Sequence, residues 1–330
     1  MAESSPAARV ALIALGGTIA MTRPAPGEAV TPSLDAGDLV EAVPGLAELD
    51  IELSTRTFRS VPGASVTFAD LAALTGLIEE LAESQDAVVL TQGTDTLEET
   101  SFFLDISLDT AMPVVLTGAM RHPELAGADG PGNLLAALRV AASPRARGLG
   151  CLVVLGDEIH AARHVRKTHS TSPAAFASPD TGPLGQVVED RVWLPAAVGP
   201  RPALPPAGAD PLVPVVTTTL DDDLPLLRPM RTDLDGLVLA AFGVGHVPAG
   251  AVELLAAYAE RVPVVLTSRT GAGSVHRASY GFPGSEQDLQ RRGLVNGGFL
   301  DPYKARILLR QLLGNGKGRA EIAEAFAAYG

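Results

Sequence analysis

Two short stretches carry residue types able to do nucleophilic chemistry. The first is Leu15-Gly16-Gly17-Thr18-Ile19-Ala20, which follows the apolar run Val10 to Ala14. The second is Gln92-Gly93-Thr94-Asp95-Thr96-Leu97-Glu98-Glu99-Thr100, which follows Ala87-Val88-Val89-Leu90. Each delivers a threonine after glycine at the end of a buried strand, where open α/β sheets place their ligand crevices. Glycine there lets the backbone turn tightly and approach a ligand without Cβ interference. A threonine hydroxyl so placed attacks an electrophilic carbon once a neighbour withdraws its proton. The second stretch brings a carboxylate with it, Asp95, which also suits the N-cap of the helix that follows. A third stretch, Ala162 to Ser170, is basic within an acidic chain and offers Lys167 as a charged partner for such a site.

The elements that must hold these residues follow from the apolar pattern. Roughly the first 190 residues alternate short apolar runs with amphipathic segments, the mark of a parallel sheet covered by helices on both faces. Strands are expected at 10–14, 51–59, 87–90, 113–117 and 150–155, and helices at 35–43, 67–82, from Leu97 onward and from Pro131 onward with Asp129 as N-cap. Phe68, Leu71, Leu74, Leu77, Ile78 and Leu81 recur at helical spacing. Met21 to Thr31 shows no apolar period and suits a lid over the crevice. Trp193 to Pro214 holds nine prolines or glycines and reads as a linker. The expected division is therefore an N-terminal α/β domain at 1–194, a linker at 195–212 and a smaller α/β domain at 213–330. In the latter, strands are expected at 213–218, 236–242 and 262–267, with helices at 252–259, 301–313 and 320–328.

Composition narrows the function. The formal net charge of −13 argues against nucleic acid or an anionic membrane as partner. No apolar run reaches the ~20 residues of a membrane span, and the N-terminus lacks a signal peptide's basic head and apolar core, so a cytoplasmic location is expected. The single cysteine, Cys151, lies in an apolar run and reads as a buried thiol. His160, His164 and His169 make no metal-ligand pattern, the dinucleotide fingerprint lacks its third glycine, and no phosphate-binding loop occurs. No metal or other cofactor is expected.

Taken together, the Gly-Gly-Thr-Ile-Ala and Gln-Gly-Thr-Asp-Thr-Leu-Glu-Glu-Thr stretches resemble the paired threonine signatures of bacterial-type L-asparaginases. The resemblance continues in Gly118-Ala119-Met120-Arg121, Ala128-Asp129-Gly130-Pro131 with Asn133, Arg166-Lys167-Thr168, Ala241 to Gly245 and Lys304-Ala305-Arg306. It implies a larger N-terminal flavodoxin-like domain, a smaller C-terminal α/β domain, and hydrolysis of L-asparagine to L-aspartate and ammonia, with minor glutaminase activity open. Thr18 would then be the nucleophile that forms an acyl-enzyme, with Thr94, Asp95 and Lys167 as the second catalytic group. Substrate would be held by Gly17, Ala64, Ser65, Gly93, Thr94, Asp95 and Ala119, with Asp95 on its α-amino group and the Gly63-Ala64-Ser65 turn on its α-carboxylate. A homodimer or homotetramer is implied, because members complete their sites across a subunit contact.

The chain departs from the family pattern in three places. No tyrosine occurs in Met21 to Thr31, Gln92 stands where many members have histidine, and His246 and Pro248 occupy the glycine-loop region in place of the acidic and amide residues a neighbouring subunit often contributes, with Tyr280 or Glu286 as substitutes. A catalytically weak amino-acid-binding protein on the same scaffold is the alternative reading. The related subunit of transfer-RNA-dependent amidotransferases usually carries an extra N-terminal domain, for which fewer than ten residues precede Val10.

Overall fold

A computed structural model of the protein describes residues 7–25, 27–199, 203–228 and 233–329. The chain divides into two compact units, Met1–Ala203 and Leu204–Gly330. The dividing point falls within the stretch read as a linker, of which residues 200–202 lie outside the described residues, as does Pro26 of the stretch read as a lid.

The first unit is built on an eight-stranded sheet. Its strands are β1 (Ala8–Ala14), β2 (Ile51–Thr57), β3 (Ala87–Thr91), β4 (Val114–Thr117), β5 (Cys151–Leu155), β6 (Glu158–Ala161), β7 (Gly185–Val188) and β8 (Arg191–Trp193). The order across the sheet is β8-β7-β6-β5-β4-β3-β1-β2. The first five strands run parallel, and the last three attach antiparallel at the β5 edge. The parallel part has the flavodoxin-like order 2-1-3-4-5, in which the direction of winding reverses between β1 and β3 and opens a crevice beyond their C-terminal ends. Thr18 and Thr94 follow those two strands.

Helices on both faces explain the unbroken apolar runs. Val10, Leu12 and Ala14 face one core with Leu134, Leu138 and Ala141 of α4 (Gly130–Ala142) and with Leu39 of α1 (Ala36–Glu41). The intervening Ala11 and Ile13 are buried as well, as are Leu74 and Ile78 of α2 (Phe68–Leu81) and Phe102 and Phe103 of α3 (Leu97–Ser107). A parallel strand covered on both sides has no reason to alternate. The α2 helix begins with a reciprocal capping box: Thr67 Oγ1 accepts the Asp70 N–H at 3.1 Å, and Asp70 Oδ2 accepts the Thr67 N–H at 3.1 Å. Within this helix, Gly76 has nothing within 4 Å of where a Cβ would sit. Gly76→Ala is therefore expected to stabilise the protein by about 0.5–1 kcal/mol, measured as a rise in denaturant midpoint, because helical glycine costs backbone entropy with no compensating packing.

Three expectations need correction. Asp95 does not cap α3; its N-cap is Thr96, which makes no side-chain capping bond. Asp129 holds the N-cap position of α4 as expected, but its carboxylate makes no capping bond and instead accepts the backbone N–H groups of Met120 and Arg121 at 3.0 and 2.9 Å. The stretch from Trp193 is not wholly without structure, since Arg191–Trp193 pairs with Gly185–Val188.

The second unit has a four-stranded parallel sheet, β9 (Val215–Thr217), β10 (Leu237–Ala241), β11 (Val264–Ser268) and β12 (Val295–Asn296), in that order. Helices α5 (Val252–Ala259), α6 (Glu286–Arg291), α7 (Pro302–Gly314) and α8 (Arg319–Tyr329) complete it. Its core gathers Leu237, Leu239, Leu255, Tyr258, Leu266 and Leu289. Among the described residues, no helix is long and apolar enough to cross a membrane.

Candidate active site

The crevice at the ends of β1, β2 and β3 is assembled by glycines in backbone contact. Gly16 and Gly17 both take positive φ, 96° and 88°, turning the chain sharply out of β1. A Cβ on Gly17 would lie 2.1 Å from the Gly93 nitrogen, and one on Gly93 would lie 2.7 Å from the Gly63 nitrogen. Three turns therefore stack main chain on main chain, and each is pinned to its neighbour strand. Leu15 N–H donates to the Thr91 carbonyl at 2.9 Å, Val61 N–H to Leu15 at 3.2 Å, and Gln92 N–H to Thr117 at 3.0 Å. The Thr96 hydroxyl donates to the Gly63 carbonyl at 2.8 Å, and Gln92 Nε2 donates to Thr96 at 3.0 Å. Gln92 thus locks the second turn to the third.

Thr18 and Thr94 come one residue after two of these touching glycines. Thr18 opens a 3₁₀ turn, Thr18–Ala20, and is half-buried; its hydroxyl makes no hydrogen bond among the described residues. Thr94 is buried, and its Oγ1 accepts a hydrogen bond from Lys167 Nζ at 2.9 Å. The same nitrogen lies 3.3 Å from Asp95 Oδ1. Lys167 is 16% exposed and Asp95 62% exposed, so the lysine is enclosed while the carboxylate faces outward, open to a ligand. Lys167, Thr94 and Asp95, separated by more than 70 positions in the chain, are thus one connected group.

What holds Lys167 there was not legible from its basic surroundings. It sits in a two-residue strand, Arg166–Lys167, paired antiparallel with Phe176–Ala177. Its backbone N–H donates to Glu98 Oε2 at 2.6 Å. Glu98 is buried in the first turn of α3, where a carboxylate is favoured by the helix dipole, and it doubles as an anchor for the lysine strand. His160 belongs to the same support. It is fully buried, with Nδ1 3.0 Å from Ser178 Oγ and Nε2 3.3 Å from Glu158 Oε2, next to the strand that pairs with Lys167. His169 accepts the N–H groups of Thr171 and Ser172 at 3.1 and 3.0 Å, closing a turn.

The remaining residues expected at the site divide by exposure. Ala64 and Ser65 are exposed on a 3₁₀ turn, Gly63–Ser65, whose Gly63 rests on Gly93. Ala119 is buried in the apolar core, so only its main chain is available to a ligand. The loop that carries it is braced by Asn133, which donates to the Gly118 carbonyl at 3.0 Å and accepts the Gly156 N–H at 3.0 Å. The described part of Met21 to Thr31 starts and ends in an antiparallel pair, Met21–Thr22 with Thr31–Pro32, and Arg23 forms an ion pair with Glu124 at 3.2 Å.

This arrangement sets an unengaged hydroxyl and a lysine–threonine–aspartate group on two turns whose glycines touch. Comparison with known proteins gives the arrangement a family. The sequence model of "Asparaginase, N-terminal" matches residues 9–198, and that of "Glutaminase/Asparaginase C-terminal domain" matches residues 213–326. The chain belongs to the asparaginase family. Among its relatives, a probable L-asparaginase of Deinococcus radiodurans is 40% identical over 323 residues, covering 96% of this chain and 97% of the relative. An L-asparaginase of Bacillus licheniformis is 33% identical over 313 residues, covering 94% and 96%. The crystal structure of a probable cytoplasmic L-asparaginase from Campylobacter jejuni superposes with a TM-score of 0.87 at 30% identity, covering 98% of this chain and all of that one.

His246 and the two substitutes, Tyr280 and Glu286, gather in the second unit. His246 Nε2 is 3.2 Å from Glu286 Oε2, and the His246 ring meets Tyr280 and Phe282 edge-on at 4.9 and 5.0 Å. Glu286 Oε1 accepts the N–H groups of Ser279 and Tyr280, both at 2.8 Å. Burial pushes the Glu286 carboxyl up, but hydrogen bonds from the Tyr280, Glu286 and Ser279 backbone and from His246 outweigh it, holding the group below its ordinary 4.5. A depressed carboxyl contributes stability that is complete above the unfolded-state value and is lost as pH falls through the folded one. Glu286→Gln is thus expected to lower the thermal midpoint at neutral pH, and the gap to wild type should close as pH drops below about 4.5.

Proposed function

We propose that the protein is an L-asparagine amidohydrolase acting through a threonine acyl-enzyme. The observation that carries this reading is the contact of Lys167 Nζ with Thr94 Oγ1 at 2.9 Å and Asp95 Oδ1 at 3.3 Å, on a turn whose Gly93 touches Gly17. Family membership and relatives named L-asparaginase support the substrate.

In the first step the Thr18 oxygen attacks the side-chain amide carbon of asparagine. Its proton passes through the Thr94 hydroxyl to Lys167, which acts in its neutral amine form, and the oxygen of the tetrahedral intermediate is received by main-chain N–H groups of the Gly-Gly-Thr and Gly-Thr-Asp turns. Collapse breaks the carbon–nitrogen bond, the nitrogen leaves as ammonia with that proton, and a β-aspartyl ester remains on Thr18. In the second step a water, deprotonated by the Thr94–Lys167 pair, attacks the ester carbon; the Thr18 oxygen takes up the proton removed from the water, and L-aspartate departs. The outward-facing Asp95 holds the substrate's α-ammonium and the exposed Gly63–Ser65 turn its α-carboxylate. We read glutamine as a minor substrate at most, the protein as a homo-oligomer that completes its site across subunits, and the cytoplasm as its place.

Lys167→Met tests the proton-relay part of this reading. It keeps the length of the side chain and removes the amine, so kcat for ammonia release from asparagine is expected to fall by about 10²–10⁴-fold, with a smaller change in KM. Undiminished kcat in a folded variant would remove the lysine from the mechanism.

A further inference from the structure

The second unit holds a cavity that asparagine hydrolysis does not use. It lies among α8, the edge strand β12 and the loop that carries Arg277, and its volume is about 360 Å³, within the range of small-molecule sites. Arg277 and Arg319 both line it, and no carboxylate does, in a chain of net charge −13.

Some arginines elsewhere in the protein are matched to acids, among them Arg9 to Asp86, Arg59 to Asp70, and Arg292 to Glu253 and Asp288. Arg277 makes no hydrogen bond or ion pair among the described residues, and Arg319 spends one guanidinium N–H on the Ala259 carbonyl and has no acidic partner. A guanidinium carries five donors in a planar fork suited to a carboxylate, so most of both forks is left for a ligand.

The rest of the lining is apolar apart from two amides, both hydrogen-bonded within the protein. Asn296 Nδ2 donates to the His276 carbonyl at 2.9 Å and to Gln290 Oε1 at 3.1 Å, while Gln290 Nε2 donates to the His276 and Glu286 carbonyls at 2.9 and 2.8 Å. These amides are a fixed wall. Arg319, Ala323 and Ala327 recur every four residues on one face of α8, and the small side chains of the two alanines, opposite Leu294, leave the space open.

We propose that this cavity binds a small organic carboxylate, its charged group on Arg277 and Arg319 and its apolar body against Leu294, Ala323 and Ala327. The inference is independent of the hydrolase reading, since none of these residues belongs to the threonine crevice.

Isothermal titration of the full-length protein at low ionic strength, with isovalerate and separately with inorganic phosphate, tests it. Saturable binding of isovalerate is expected, tighter than phosphate by at least about 10-fold. Arg277→Gln, on an exposed side chain, should weaken isovalerate binding by about 10-fold or more, and Ala323→Leu, which fills the cavity, should abolish it. Both variants should release ammonia from asparagine at the wild-type rate. Absence of saturable isovalerate binding overturns the proposal. So does binding that survives both substitutions, or phosphate binding as tightly as isovalerate. If Ala323→Leu fails to fold, Arg277→Gln alone decides.

Discussion

Thr18→Ala is expected to lower ammonia release from L-asparagine by at least about 10³-fold while leaving thermal stability within about 0.5 kcal/mol of wild type. The two halves of that expectation rest on different observations. Stability is spared because the Thr18 hydroxyl has no partner among the described residues and the residue is half-buried rather than packed. The turn itself is closed by main chain, with Ala20 N–H donating to the Gly17 carbonyl at 2.9 Å, which alanine leaves untouched. Activity is lost because no second hydroxyl can replace it without moving a bond: Thr94 Oγ1 is already engaged by Lys167. Thr18→Ser keeps the hydroxyl and should retain far more activity than alanine. Ammonia release is the readout, with L-asparagine and L-glutamine assayed in parallel, since one methylene in a pocket is worth only about 1–3 kcal/mol of discrimination. Wild-type turnover in a folded Thr18→Ala protein would leave the acyl-enzyme without a nucleophile. Saturable amino-acid binding with negligible wild-type turnover would instead favour a binding protein on this scaffold.

Much of the first sheet was legible because its strands are covered on both faces. Such strands read as unbroken apolar runs, and β1 and β3 to β5 were placed within two residues of their ends. The strands added at the β5 edge were not legible in the same way, since β6 to β8 are three or four residues long and half-exposed in part. A local signal for the first of them was nonetheless present. Gly156 and Asp157 both take positive φ, 59° and 64°, and join Leu155 directly to Glu158 across the hairpin. Gly-Asp after an apolar run is a two-residue hairpin signal, and Glu158 opens the returning strand.

The candidate site divides along the same line. Thr18, Thr94 and Asp95 were found because glycine, threonine and strand end fall together within a few residues. Lys167 was found by basic composition and resemblance, but its placement depends on a pairing of two-residue strands and on Glu98, 69 positions earlier, accepting its N–H. No periodicity encodes such a contact. Asp129 takes the N-cap position that its place before Pro131 predicts, yet its carboxylate serves the Met120 and Arg121 amides. Local sequence identified a carboxylate in need of N–H donors, and tertiary structure chose which donors.

The close approach of the turns sets the second large expected effect. Gly17→Ala should destabilise the first unit by about 3 kcal/mol or more and abolish ammonia release even in the fraction that folds. Its new Cβ would lie 2.1 Å from the Gly93 nitrogen and 2.3 Å from the Gly93 Cα, and 2.8 Å from the Gln92 carbonyl carbon. All three are backbone atoms, so no side-chain rotation relieves the overlap; one turn must withdraw from the other. With φ 88° and ψ −178° Gly17 lies in a region open essentially to glycine alone, which adds a cost of about 1–3 kcal/mol for any residue with a Cβ, on top of about 1–3 kcal/mol for the overpacking. Chemical denaturation of Gly17→Ala beside Gly76→Ala, where the added methyl meets open space, isolates the effect of position from that of the substitution itself. The sign should reverse between the two. Withdrawal of the first turn carries Thr18 away from Thr94, so the same shift that restores allowable distances separates the proposed nucleophile from its relay. Equal stability of the two variants would mean that the glycines at 17 and 93 do not bear on one another, and the route by which β1 and β3 bring their threonines together would have to be sought elsewhere.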